Sequence, residues 1–417
     1  MRLDECSDSH CFGHIAGRPG RMTIMKNETC YSDADRQYIR AHRQRCYRPG
    51  TVSTLVGLIL VAISAPTVWA KVTHSTGTIE GRPPTATGLL NVMFPGGTTA
   101  VTQNVVVGTA HKPNDFWLSA SGLILKDQDS DTGLSASLDT AAVTWVWKYN
   151  NVALTPAQLA APFSASFLGK TLTVVASAPI AVSSLTGAPT TSSPSTLSSA
   201  TYTLVVPASL PVVRVNGASF ALDSGFPKTG FSQATFQFWM NGTSASGNSN
   251  YTFAADPRAP WVTVNPATGV VTFVAEPASA QTVNITITDT RTNEVTPYSF
   301  TIGTWFVNNG SNKMTAAQAD SYCAGLGASY GVPSYLKMTN AATGTNGTRA
   351  PDGRLWDEWG SLGVADYTGS GWVSNYHWAF ELYGTGSSSR YVVFLSVGNM
   401  SGYFSASQLY VACSRTL

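Results

Sequence analysis

The sequence predicts a mainly β protein, two β-sandwiches followed by a mixed α+β region. Three observations carry this reading. Apolar residues alternate with polar ones in short runs up to about residue 303, as where Val283, Ile285 and Ile287 alternate with Asn284, Thr286 and Thr288. Turn residues interrupt those runs at roughly eight- to twelve-residue spacing, the rhythm of a sandwich. After about residue 304 Trp and Tyr concentrate and helical signals appear. The composition agrees: of 417 residues only 12% are charged and 43% are hydrophobic, with a formal net charge of +2. That excludes general disorder, and it gives no basic excess for a nucleic-acid partner.

The elements follow in chain order. Residues 1–70 hold nine of the 25 basic and six of the 23 acidic residues. The basic groups crowd just before Gly50, and Leu55 to Ile63 form a short apolar core. Val68-Trp69-Ala70 then offers small residues for cleavage near Ala70, the layout of a secretory signal. The apolar run is shorter than the ~18 residues of a spanning helix, so a retained anchor is the other reading. Met22 and Met25 are alternative starts. Removing this segment leaves a nearly neutral chain and takes away Cys6, Cys11, Cys30 and Cys46. Cys323 and Cys413 remain, and an even pair in an exported chain reads as one disulfide.

Residues 71–209 form the first predicted unit. Leu123–Leu125, Val143–Trp147, Thr171–Val175 and Tyr202–Val206 have strand composition. Asn150-Asn151 is a tight-turn signal, and Thr155–Ala161 a short helical turn. The Ser-, Thr- and Pro-rich stretch from Thr186 to Ser199 reads as a long loop or a linker. Residues 210–303 form the second unit, with Phe236 and Phe238, Trp261–Val264, Val270–Phe273, Val283–Ile287 and Tyr298–Ile302 as strands. Residues 304–417 form the third and are expected to fold separately from the first two. Thr315 and Gln318 fit a capping box opening a helix that stops at Gly325. Asp352 is expected to cap a second helix carrying Leu355, Trp356, Trp359 and Leu362 on one apolar face. Trp372–Leu382, Tyr391–Leu395 and Tyr410–Ser414 are strand candidates.

Catalytic and metal-binding patterns are weak. Gly327-Ala328-Ser329-Tyr330-Gly331 matches a hydrolase elbow in letters, but a helix precedes it where a strand is required. After residue 70 only His74, His111 and His377 remain, too scattered for a local metal pair. The acidic run Asp127, Asp129 and Asp131 lacks the glycine and glutamate placement of a calcium loop, so a solvated turn is expected. Trp356 and Trp359 read as core. Trp372, Tyr376 and His377 are the candidate binding residues, as rigid aromatic anchors if they are exposed.

Two groups of residues resemble a known family. Ala221-Leu222-Asp223-Ser224-Gly225-Phe226-Pro227-Lys228-Thr229-Gly230-Phe231 is similar to the immunoglobulin-like repeat of enterobacterial intimin/invasin-type adhesins. Trp305–Gly310, Tyr322-Cys323, Leu355–Gly360 and Tyr410–Cys413 resemble the C-terminal adhesion domain of the invasin E group, related to the C-type-lectin-like fold. The resemblance implies immunoglobulin-like β-sandwiches at 71–209 and 210–303, carrying a C-type-lectin-like tip at 304–417. It places Cys323 and Cys413 side by side. It also implies an exported or surface-bound adhesin whose partner is a host-cell surface protein or glycan; the residue patterns above add the expectation of no enzyme activity, cofactor, metal or nucleic-acid partner. The alternative is an envelope interaction protein that partners a separately encoded outer-membrane barrel.

Overall fold

In residues 81–209 the organising element is one long strand, Thr171–Ser183. The computed structural model describes residues 81–385 and 388–417, so the expected export segment and its expected cleavage near Ala70 lie outside the described residues. Leu172, Val174, Ala176, Ala178, Ile180 and Val182 of the long strand are buried while their neighbours are not. Period-2 burial of this kind belongs to a strand with one covered face. The first half of the strand pairs with Tyr202–Val205 and Thr144–Tyr149, and the second half with Ser195–Ser198 and Ser135–Leu138. The stretch read as a loop or linker therefore folds back onto the same sheet. Asn150 and Asn151, both at positive φ, make the two-residue turn into Val152–Ala153. Helix α1, Pro156–Ala160, is closed by a Thr155–Gln158 capping box. Phe116, Trp147 and Phe163 form the aromatic centre of this core, with Phe116 set edge-on to Trp147 at 5.1 Å.

The second β region is a sandwich. One sheet orders Ala218–Ala221, Val212–Val215, Thr235–Trp239, Val270–Phe273 and Val262–Val264; the other orders Tyr251–Ala254, Thr282–Asp289 and Val295–Thr301. Phe236, Phe238 and Phe273 from the first pack with Val283, Ile285, Tyr298 and Phe300 from the second. The alternation along 282–289 is the one the sequence predicts.

In the C-terminal region, strand Thr304–Asn308 lies between Thr229–Gly230, which runs parallel to it, and Ala412–Thr416, which runs antiparallel. Helix α2, Ala316–Gly325, starts at the predicted Thr315–Gln318 capping box. Helix α3 is shorter than expected, Leu355–Trp359, with Arg354 at its N-cap. Asp352 does not cap it, because its carboxylate accepts instead from the backbone and guanidinium of Arg354. Gly360, at φ 75°, ends the helix, and a Cβ there would stand 2.3 Å from the Arg349 guanidinium. A three-stranded sheet follows, Tyr376–Leu382, Ser389–Phe394 and Asn399–Phe404. The last of these strands is absent from the sequence reading.

One hydrophobic core runs across residue 304. The Trp359 ring lies 5.2 Å from Phe226, 5.3 Å from Phe231 and 5.7 Å from Phe273. Trp305 meets Trp261 at 6.3 Å. Arg349 donates to the carbonyls of Val215 and Asn216, and Asn216 donates to that of Ser361. This packing bears on the expectation that 304–417 folds separately: the aromatic residues that read as one tip's own core also fill the face of the preceding sandwich.

The same seam buries two carboxyls. Glu358 accepts from the N–H groups of Lys228, Thr229 and Gly353 and from the Thr229 hydroxyl at 2.6 Å. Burial still pushes its pKa up to about 7, against those hydrogen bonds. Asp357 is fully buried, its Oδ2 has no hydrogen-bond partner, and burial together with Asp352 pushes it up to about 8. Both folded values lie above the ordinary carboxyl range of about 4. Stability tied to these groups is therefore present below that range and lost as pH rises through the folded values. The melting temperature of the chain should fall between about pH 4 and pH 8, and Asp357→Asn with Glu358→Gln should flatten that slope in melts across the range. An equal slope in the double variant would exclude these carboxyls as its source.

Candidate functional site

The three-stranded sheet is covered on both faces near its base and bare at its hairpin end. On one face Trp378 and Val392 pack beneath α2 with Ala316, Ala319, Cys323 and Cys413. On the other, Val393 and Met400 enter the shared core. At the end where Tyr376–Leu382 meets the start of Ser389–Phe394, Leu382 pairs with Arg390, Arg390 with Tyr403, and Ser389 with Phe404. There Phe404 is 69% exposed, Phe380 62%, Leu382 58%, Tyr403 37% and Tyr383 36%. Five large apolar side chains thus stand at one end of one small sheet. Exposed clusters of this kind mark interaction surfaces on soluble proteins.

The two tyrosines of the cluster are packed against fixed neighbours. The Tyr383 ring lies on Gly402, where a Cβ would come within 2.2 Å of it, and meets Tyr391 edge-on at 5.0 Å. Tyr391 in turn packs on Tyr335 at 4.6 Å. Tyr403 lies 5.1 Å from Tyr376, which stacks on Phe394 at 4.7 Å. Arg390 is fixed by a two-point contact with Asp320 of α2, at 2.8 and 2.7 Å. Aromatic groups already locked in place lose little further freedom on binding.

Of the expected anchors, only Tyr376 belongs to this cluster, half-buried at its base. Trp372 and His377 are corrected from surface anchors to core residues, since both are buried. Trp372 packs against Phe231 at 5.8 Å and against His377 at 5.5 Å. His377 Nδ1 lies 3.0 Å from the Asn375 carbonyl oxygen, and burial pushes its pKa down to about 4, so the ring is neutral. Sequence reasoning missed Phe380, Leu382, Tyr403 and Phe404. The available signals were the alternation Phe380-Glu381-Leu382 and the Tyr403-Phe404 pair, which no core pattern explains.

Cys323 of α2 and Cys413 form a disulfide, 90 positions apart with Cα atoms 5.4 Å from one another. Trp356 and Trp359 lie in the core, as their spacing indicates. The acidic run is a hydrogen-bonded turn. Asp127 accepts from the N–H groups of Asp129 and Asp131, Asp129 pairs with Arg82, and Asp131 accepts from the Thr186 hydroxyl.

These features define a class: a β-sandwich joined through a continuous core to a disulfide-closed α+β region with an apolar end, preceded by a further β region with its own core. Comparison with known proteins narrows it. Residues 211–302 match the family described as invasin, domain 4. Invasin of Yersinia enterocolitica is 32% identical over 167 residues, 40% of this chain and 18% of that protein. The inverse autotransporter adhesin YeeJ of Escherichia coli is 29% identical over 205 residues, 49% of this chain and 8% of that protein. The chain thus matches less than a fifth of the length of these curated relatives. Among solved structures, that of invasin, titled a bacterial integrin-binding protein, covers 79% of this chain and 59% of its own at 22% identity, with a TM-score of 0.45. A C-terminal intimin fragment, solved with the translocated intimin receptor, covers 70% of this chain and 92% of its own at 14% identity, with a TM-score of 0.36. Over these stretches the chain is similar in sequence to an invasin and to an inverse autotransporter adhesin.

Proposed function

We propose that this chain is an exported, non-enzymatic bacterial adhesin, with β-sandwich modules as a stalk and residues 304–417 as the contact region. Its partner in this reading is a protein on the host-cell surface, and the export segment is cleaved near Ala70. The observation that carries the proposal is the exposed apolar end formed by Phe380, Leu382, Tyr383, Tyr403 and Phe404, with the two tyrosines packed in place. The names of the sequence relatives, an invasin and an adhesin, support the same reading. The surface suits a protein partner because fixed aromatic groups supply much contact area at small entropic cost. Arg390 is already neutralised by Asp320, so the patch adds little charge to desolvate.

The test is a host-cell binding assay with the exported chain and its Phe380→Asp, Phe404→Asp double variant. Both side chains are exposed, so the melting temperature should stay within a few degrees of the parent. Binding should fall at least about tenfold, since two anchors of a contact surface are lost. Undiminished binding by a folded double variant would remove this end of the sheet as the contact surface.

A further inference from the structure

A second open site lies far from the aromatic tip in sequence, where the first β region meets the 290–294 turn of the second. It is a groove of about 620 Å³. That falls within the ~300–1,000 Å³ typical of small-molecule sites. Its apolar wall is aromatic. Phe116 points into the core against Trp147, so the next residue, Trp117, is turned outward by the strand pleat and is 56% exposed. Trp145 stands two positions before the buried Trp147 on the same strand, at the open margin of that core. The polar lining converges from three elements: Asn114 and Asp115 from the turn at 113–115, Thr140 from the 140–142 turn, and Glu294 from the second β region. Among the described residues no Lys, Arg or His lines the groove.

We propose that this groove is a binding site for a neutral saccharide. The chemistry of the lining selects the class. A pyranose ring presents an apolar C–H face, which suits the flat indoles, and a rim of hydroxyl donors, which suits carboxylate acceptors. Asn114 and Thr140 both donate and accept, which matches hydroxyl groups and is superfluous for a simple cation. Two carboxylates, with no Lys or Arg in the described lining and Glu294 beside only the buried His111, whose pKa burial lowers, disfavour phosphorylated or sulfated ligands. A peptide backbone would bring carbonyl acceptors in numbers that this acceptor-rich wall cannot serve. Glu294 comes from the second β region, so an occupied groove would also bridge the two regions.

The experiment is ligand-observed saturation-transfer NMR on the exported chain with three probes, maltotriose, the trimer of N-acetylglucosamine and lactose, and with choline as the cation control. At least one sugar should receive saturation at its ring C–H protons, with an affinity on the order of millimolar. Trp117→Ala should weaken that binding about tenfold or more, and Glu294→Gln should weaken it while preserving shape. Both residues are exposed, so melting curves should match the parent and exclude misfolding. The proposal is overturned if none of the three sugars binds, if choline binds in their place, or if sugar binding survives both substitutions.

Discussion

Residues 304–417 expressed alone in an oxidising compartment should give no cooperative melt, whereas residues 210–417 should melt as one unit. A cut at 304 strips Trp359 of Phe226, Phe231 and Phe273, and Trp305 of Trp261. It removes Thr229–Gly230 from the edge of strand Thr304–Asn308. It also takes three of the four donors that hold the buried Glu358 carboxylate, those on Lys228 and Thr229. Truncating one buried Trp or Phe to Ala costs about 3–5 kcal/mol. Baring several at once exceeds the ~5–15 kcal/mol that holds a typical domain together. Circular dichroism melts and limited proteolysis of the two fragments decide the matter. A sharp, reversible melt of 304–417 alone would show that the shared core is dispensable. The longer fragment omits residues 81–209, whose core is a separate cluster; it gives up the contacts of Val106 and Phe94 with Arg291 and of His111 with Asp289, but keeps the whole core that crosses residue 304.

What could be read from the sequence follows from where the forces are local. Strand 282–289 was legible because alternate burial writes itself into every second residue. The α2 start was legible because its cap is closed within four residues, Thr315 to Gln318. Strand Asn399–Phe404 was not, since Asn399, Ser401 and Gly402 carry little strand signal and their place is set by pairing with Ser389–Phe394. The long strand was cut short at Val175 because Ala176, Ala178 and Pro179 look like a loop until partners on both sides cover them. The site failed for a related reason. Trp372 and His377 attract notice as residue types, but exposure is decided by distant chain, here Phe231 and Tyr410. Phe404 fits no core pattern, and only the fold shows it to be the most exposed aromatic of the cluster. Glu358 shows the same limit: nothing in Leu355–Trp359 indicates that its carboxylate will be held by backbone some 130 residues earlier.

Removing the Cys323–Cys413 disulfide should destabilise the C-terminal region by about 2–5 kcal/mol and loosen α2 in particular. A bridge closing a loop of this length is worth roughly 4–5 kcal/mol in the chain-entropy account, with measured values scattering from about 0 to 5. The structure indicates where the loss falls. Strand Ala412–Thr416 is held independently by five register pairs with Thr304–Asn308. Helix α2 is held less well, since the face it buries consists of Ala316, Ala319 and Cys323, small side chains that contribute little area. The disulfide therefore braces the helix more than the strand. When it is gone, α2 should open locally, uncovering Trp378 and Val392 and withdrawing Asp320 from Arg390. Arg390 pairs directly with both Leu382 and Tyr403, so the apolar end of the sheet loses its fixed row. The double variant Cys323→Ser, Cys413→Ser should show a lowered melt, faster amide exchange across 316–325 and weaker host-cell binding, while residues 81–206 exchange as before. Unchanged exchange in α2 would mean that its packing alone holds it, and that the disulfide acts only on the unfolded chain.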